Sequence, residues 1–291
     1  MQIIDLKGKK ALVTGVADNV GFGWHIAKSL QAAGAEVIIS CHPRVQTILE
    51  RFLTKDKYSE SRQLPYNSKD ELKAIAILPC DVTYDTMEDI PEEQKSQKGY
   101  AGVDASIQGL MDATQKAVGE LDILIHSVAF SPEVDRSHLE VSRQAYLTAM
   151  STSSYSLISL SRAAAPLMKD RNGHIVGLSY LAAQRAVPFY GGGMAAAKAA
   201  LECDARMLAW HLGEAGHTVN IVSPGPYASR AAKSIGDIGE MIDQTAARSP
   251  LRRSIDAQDV ANSVLFLCSP LASAITGEVL YVDAGYHAMA M

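Results

Sequence analysis

Cysteine is scarce in this chain, and the few present exclude two kinds of chemistry. Cys41, Cys80, Cys203 and Cys268 lie far apart and form no CxxC unit that could seed a zinc or dithiol site. Three of them sit in apolar runs, so they read as reduced core thiols, not as metal ligands or disulfide partners. Long apolar runs are missing too: nothing approaches the roughly 18 consecutive apolar residues of a membrane span. The opening MQIIDLKGKK carries neither a cleavable signal pattern nor an amphipathic transit segment, which points to a cytoplasmic protein without a membrane anchor. A formal net charge of −5 gives no sign of a nucleic-acid footprint, although it leaves room for a small basic patch facing an acidic partner. Repeats, low-complexity tracts and interdomain linkers do not occur either.

What is present is an ordinary globular composition, 47% hydrophobic and 20% charged over 291 residues, long enough to bury a large core without dividing. Short apolar runs recur at 10–14 (KALVT), 35–41 (AEVIISC), 74–79 (AIAILP), 121–126 (LDILIH), 173–178 (GHIVGL), 217–222 (HTVNIV) and 278–282 (EVLYV). They alternate with helical patterns, and they are nearly continuous in apolar character, as strands buried on both faces must be. The expected fold is α/β: a single Rossmann-type doubly wound domain over 1–291, with about seven mostly parallel strands and helices on both faces. Two polar stretches, 43–72 and 84–103, break the rhythm. They are expected to be surface insertions with too few apolar residues to form cores of their own.

The first strand runs into TGVADNVGFGWHIA, with Gly15, Gly21 and Gly23 between strand and helix. Glycines let the backbone approach a pyrophosphate, and a helix start offers unpaired N–H groups, so this turn is expected to bind a dinucleotide. The second strand ends in Ser40, Cys41, His42, Pro43 and Arg44, without the usual ribose-gripping acid. Arg44 either meets a 2′-phosphate, which would favour NADPH, or opens a solvated loop. Asp81, between Cys80 and Val82 at the end of the third strand, either accepts a hydrogen bond from the adenine amino group or caps a turn.

Residues 179–201 read SYLAAQRAVPFYGGGMAAAKAAL, three glycines followed by strong helix formers. Met194, Lys198, Leu201, Ala205, Leu208 and Leu212 form one stripe, with Glu202, Arg206 and Gly213 on the other face. A lysine on an apolar stripe either snorkels at the helix start or serves a ligand. Held near a cofactor ribose and a phenol, its charge can lower the phenol's pKa. Tyr190 lies eight positions before Lys198, and Tyr180 ten before Tyr190. Two phenols and a lysine around a nicotinamide suit hydride addition to a polarised double bond, although tyrosines beside glycine loops are common as structural residues.

Tyr190 and Lys198 are separated by seven residues within PFYGGGMAAAK. Residues 126–134 read HSVAFSPEV, 223–236 read SPGPYASRAAKSIG, and SPLASAITGEVLYVDAG stands near the end. In combination these motifs resemble the NADH-dependent enoyl-acyl-carrier-protein reductases of the short-chain dehydrogenase/reductase superfamily, in the branch of plastids, apicomplexans and related bacteria. The likeness covers essentially the whole chain. Ordinary superfamily members carry a Tyr-x3-Lys pair and an Asn-Ala-Gly turn. This chain has neither, and its pair spacing matches the plastid branch, not the common bacterial reductases with six intervening residues.

The resemblance implies that Tyr190 hydrogen-bonds the thioester oxygen, that Lys198 holds the nicotinamide ribose, and that Tyr180 is a second tyrosine beside the substrate. It implies a cofactor site of Gly15, Val20, Gly21, Trp24, His42, Cys80, Asp81, Val82, Ser127, Val128, Ala129, Lys198, Pro224, Gly225, Pro226 and Ser229. Ser223 opens the run that passes the nicotinamide. Phe130, Tyr180, Tyr190, Met194, Ala231, Ala232 and Ile235 would meet the substrate, the last three on a lid near 227–242. NADH is the implied cofactor, ahead of NADPH, and no metal is implied. The implied partners are an enoyl-loaded acyl carrier protein, approached through a basic patch with Arg230 and Lys233, and three further copies of the chain. The apolar stretch through Ala288, Met289 and Met291 would suit burial between copies, and diphenyl-ether inhibitors would stack on the nicotinamide. Two departures stand out: His42 replaces the branch's adenine-facing tryptophan, and Phe130 replaces an asparagine. Two rivals in the same fold are a carbonyl or 3-oxoacyl reductase, disfavoured by the stretched pair, and a dinucleotide sensor without catalysis.

Overall fold

The computed structural model describes residues 4–188, 190–229 and 238–290. In chain order they form β1 (Lys10–Thr14), α1 (Phe22–Ala32), β2 (Glu36–Cys41), α2 (Gln46–Thr54), α3 (Ser59–Arg62), β3 (Ala76–Pro79), α4 (Glu92–Lys95), α5 (Ile107–Val118), β4 (Ile123–His126), α6 (Arg143–Met150), α7 (Ser156–Ala164), β5 (His174–Leu178), α8 (Met194–Gly213), β6 (Thr218–Pro224), α9 (Ile238–Arg248), α10 (Ala257–Leu267) and β7 (Val279–Val282). Each apolar run expected to be a strand is one. Among the described residues seven parallel strands make one sheet, in the order β3-β2-β1-β4-β5-β6-β7. None of the described helices is long and apolar enough to cross a membrane.

Parallel strands must be covered on both faces, and side chains alternate along each strand to meet both covers. On one side Val13, Ile39, Ile125, Val176 and Val222 pack under Trp24 and Leu30 of α1 and Val264 of α10. On the other, Leu12, Ile38, Leu124, Ile175 and Ile221 pack under Leu110 of α5, Leu160 of α7 and Leu201 of α8. The chain winds outward from β1 to β3, then crosses back to β4 on the other side of β1. That reversal opens a crevice at the C-terminal ends of β1 and β4, where Thr14 pairs with His126.

Both insertions are better packed than their polarity suggests. In 43–72, α2 sends Leu49 and Phe52 into the main core, and Leu64 and Leu72 join them. Arg62 is buried there because it has partners: Glu71 at 2.8 Å and the carbonyls of Lys55 at 2.8 Å and Phe52 at 3.1 Å. The second stretch gathers Ile90, Tyr100 and Ala105, with Tyr84 and Met87, into a small cluster separate from the sheet core. Three of its side chains are buried, Ala105 lying just past 84–103.

Candidate active site

β4, β5 and β6 end on the same edge of the sheet, and the segments that leave them carry the candidate residues. Tyr180 follows the end of β5 after one residue, Ser179. Tyr190 reaches it through the glycine turn: the Gly191 N–H donates to the Val134 carbonyl at 3.1 Å, and Ser131 Oγ donates to the Gly192 carbonyl at 2.7 Å. Gly192 has φ +59°, and any side chain there would strike the carbonyl of Glu133, so the triple glycine is a close backbone crossing. The result places the rings of Tyr180 and Tyr190 4.8 Å apart, tilted by 57°. Neither phenol is tied up by a hydrogen bond to another described residue.

Lys198, one turn into α8, is only 4% exposed. Its Nζ donates to the carbonyl of Leu178, the last residue of β5, at 2.7 Å. Burial lowers this ammonium to about 8, and the carboxylate of Glu202 partly offsets that. The expected lowering of a phenol by Lys198 is not what the structure shows. Burial pushes both Tyr180 and Tyr190 up, and each feels another tyrosine rather than the lysine. The physical reason is that the ammonium is turned toward the strand-end carbonyl.

Two buried polar atoms at this edge have no partner among the described residues: His126 Nδ1 and Ser223 Oγ. His126 Nε2 lies 2.7 Å from Ser156 Oγ, and burial, then Lys198, lowers the imidazole to about 3, so it is neutral. Gly15, at φ +75°, passes so close to the Ser127 carbonyl that a Cβ would collide with it. The turn is closed by Asp18, whose carboxylate accepts from the N–H groups of Val20 at 2.9 Å and Gly21 at 2.7 Å. Tyr227, just past Pro224, Gly225 and Pro226, reaches across it. Its hydroxyl donates to the Val20 carbonyl at 3.1 Å, and its ring packs 5.0 Å from that of Phe22. A glycine directly after β1 at the start of the turn, with unpartnered polar atoms at the same edge, fits an extended dinucleotide.

At the adenine end, Tyr100 of the second insertion donates its hydroxyl to Asp81 at 2.6 Å, and His42 Nε2 lies 3.4 Å from the same carboxylate. Burial works to raise the Asp81 carboxyl. Hydrogen bonds from His42, Tyr100 and Thr83 outweigh it and hold the group well below the usual carboxylate range. Arg44 is occupied by Gln97 at 3.3 Å. Three expected cofactor residues turn their side chains elsewhere. Trp24 is wholly buried and donates Nε1 to the Ser61 carbonyl at 2.9 Å, while Cys80 and Val82 belong to the sheet core. For these only the backbone remains to face a ligand, because a strand or helix that faces the crevice must also bury its other side.

On the substrate side Phe130 is 55% exposed, and its N–H donates to Ser153 Oγ at 2.9 Å. Ser153 lies in a π-helical turn, Ser151–Tyr155, of the kind that recurs at functional sites. Buried Met194 packs with Ala149, Ala197 and Tyr190. Val128 borders the second core cluster beside Ser127. Ala231, Ala232 and Ile235 of the expected lid, and Arg230 and Lys233 of the expected basic patch, lie outside the described residues; Ser229 lies inside them.

A family model described as Enoyl-(Acyl carrier protein) reductase matches residues 86–287. The chain belongs to the enoyl-acyl-carrier-protein reductase family. Similar members include the rice chloroplastic enoyl-[acyl-carrier-protein] reductase [NADH] 1, 45% identical over 99% of this chain and 76% of its own length. The chloroplastic protein of Arabidopsis thaliana is 46% identical over 98% of this chain and 73% of its own length. The crystal structure of Plasmodium berghei enoyl-acyl-carrier-protein reductase with triclosan matches with a TM-score of 0.93 at 37% identity, covering 97% of this chain and 99% of that one. The plastid and apicomplexan branch expected from the motifs is the one these relatives represent.

For this enoyl reductase, residue-by-residue reading missed three groups. Glu202, placed on the open face of its helix, is buried at 4% exposure. Its spacing was a usable signal, since four residues along a helix return to the face of Lys198. Tyr100 and Ser153 carried no local signal. Their roles arise from contacts with Asp81 and Phe130 across long stretches of chain.

Proposed function

We propose that this chain saturates the trans-2 double bond of enoyl thioesters carried on acyl carrier protein, using NADH, as the last reductive step of type II fatty-acid elongation. The observation that carries the reading is the Tyr180–Tyr190 pair, 4.8 Å apart beside a buried Lys198 at the common edge of β4, β5 and β6. NADH, when bound, supplies the hydride that reaches the β-carbon. Tyr190, raised by burial, stays protonated at neutral pH and donates a hydrogen bond to the thioester oxygen as negative charge gathers there. Lys198 holds the nicotinamide ribose and keeps that side of the site positive. Tyr180 walls the substrate against Tyr190, and Phe130 and Met194 line the acyl path. Exclusion of water by these rings strengthens each polar contact. A proton delivered to the α-carbon completes the product.

The test is an NADH-absorbance assay of the purified chain with crotonyl and acetoacetyl thioesters. Oxidation with the crotonyl substrate alone is expected. Turnover of the acetoacetyl substrate would reassign the chain to carbonyl reduction, and turnover of neither would leave a sensor. A parallel NADPH arm reads the preference that Arg44 bears on.

The same reading makes the chain a homotetramer, supported by exposed apolar side chains on neighbouring helices: Leu147 of α6, Tyr155, and Met207 and Trp210 of α8, with Trp210 79% exposed. Near the C-terminus Met289 is 44% exposed. Light scattering should return four chains. Triclosan should inhibit competitively with the enoyl substrate or bind the cofactor complex, stacking where the two tyrosines meet the nicotinamide. The reading places the enzyme in the cytoplasm; fractionation of the source cells tests this against the plastid of the chloroplastic relatives.

A further inference from the structure

We infer that Glu202 is a positioning residue for Tyr180, gripping the segment that carries this tyrosine at both ends. The inference rests on the placing of Tyr180 beside the substrate. A buried carboxylate is costly unless its oxygens are hydrogen-bonded, and Glu202 has both engaged. Ser179 Oγ donates to Oε1 at 2.6 Å, and Gln184 Nε2 donates to Oε2 at 3.2 Å. Ser179 and Gln184 flank the stretch 180–183, which closes on itself through the Ala183 N–H donated to the Tyr180 carbonyl at 2.9 Å. One turn back along α8, Lys198 Nζ is bonded to Leu178, the residue before Ser179.

Lys198 and Glu202, four residues apart on one helix, thus hold three points of the stretch 178–184. Glu202 also offsets part of the burial that lowers the Lys198 ammonium. Packing alone would be served by an apolar side chain at this position. A side chain that accepts two hydrogen bonds instead fixes the direction in which Tyr180 leaves β5, and so the angle at which its ring meets Tyr190. Hydrogen bonds are directional, which suits that task.

The experiment compares Glu202→Ala, Glu202→Gln and Ser179→Ala in the native chain and in Tyr180→Phe, with kcat and the KM for NADH measured on crotonyl thioester. Glu202→Ala and Ser179→Ala are expected to lower kcat by roughly tenfold to a hundredfold, the scale of a displaced catalytic contact, with the NADH KM changed by less than about twofold. In Tyr180→Phe the same substitutions should cost less than about twofold further, since the hydroxyl that the ring angle aims has already gone. Glu202→Gln keeps an acceptor for Ser179 and should recover most of kcat. Losses that multiply in the double variants overturn the inference, as does a defect confined to the NADH KM. Should Glu202→Ala fail to fold, Ser179→Ala carries the same comparison with the carboxylate intact. Full activity of Tyr180→Phe by itself would show that the Tyr180 hydroxyl does not act in the reaction and would overturn the inference.

Discussion

The rings of Tyr180 and Tyr190 meet at 4.8 Å with their planes inclined by 57°, although the two stand ten positions apart in the chain. One leaves the end of β5, and the other enters the glycine turn before α8. Their approach makes a wall that is aromatic on its faces and polar at two hydroxyls. Burial keeps both hydroxyls protonated across the neutral range, so each is available to donate to a ligand and neither supplies a phenolate.

Tyr190→Phe removes one such donor and leaves the ring. Catalytic efficiency on crotonyl thioester is expected to fall by about a hundredfold to a thousandfold, the usual loss for one oxyanion donor. Urea unfolding should change by less than about 1 kcal/mol, because no partner among the described residues loses a hydrogen bond. An activity within a few-fold of native would remove Tyr190 from the oxyanion site.

Lys198 is held in the fold at a cost that its removal should reveal. Its folded pKa, about 8, lies below that of an unfolded lysine. The unfolded chain therefore binds more protons between about pH 8 and pH 10.5, and stability rises with pH through that window. Below it the full cost of the buried ammonium applies, on the order of 3 kcal/mol before any hydrogen bond is counted. Lys198→Met is expected to unfold at higher urea than the native chain near neutral pH, with the gap closing toward pH 10, while losing nearly all reductase activity. A variant less stable than native at every pH would contradict this.

Asp81 makes the opposite contribution. Its folded pKa lies below the unfolded value, so its stabilisation is complete above about pH 4 and is lost as pH falls toward the folded pKa. Tyr100→Phe removes the 2.6 Å hydrogen bond to that carboxylate and is expected to cost about 1–3 kcal/mol near neutral pH. In acid the native and variant unfolding curves should converge. A constant difference down to low pH would assign the effect to packing of the Ile90–Tyr100 cluster.

Trp24 separates packing from cofactor contact. Trp24→Phe empties part of a fully buried site and leaves the Ser61 carbonyl with only its hydrogen bond from Lys28 Nζ at 3.1 Å, a loss expected to be about 2–4 kcal/mol by thermal or urea unfolding. The KM for NADH should stay within about twofold of native, since only the backbone at this position faces the turn. A large rise in that KM, with little change in stability, would return the indole to the cofactor site.

Most of the fold was legible because each strand announces itself. The runs at 10–14, 35–41 and 173–178 are short, apolar and bounded by turn residues, and burial of a parallel strand on both faces leaves no other pattern. The candidate trio was legible for a related reason: a lysine on the apolar stripe of α8 demands a partner. Glu202 was misplaced because its neighbours Arg206 and Gly213 are exposed, although its spacing from Lys198 already put it on the buried side.

By itself the sequence determined the alternation of strands and helices, the glycine turn after β1, and the residue types gathered near α8. These are local properties, written in periodicity and backbone preference. Only the tertiary structure decided that Trp24, Cys80 and Val82 face the core, that Tyr100 and His42 hold Asp81, and that Lys198 bonds a strand end. Each depends on which distant surface covers a given face. Periodicity reports that a face is buried; the packing of the whole chain chooses its partner.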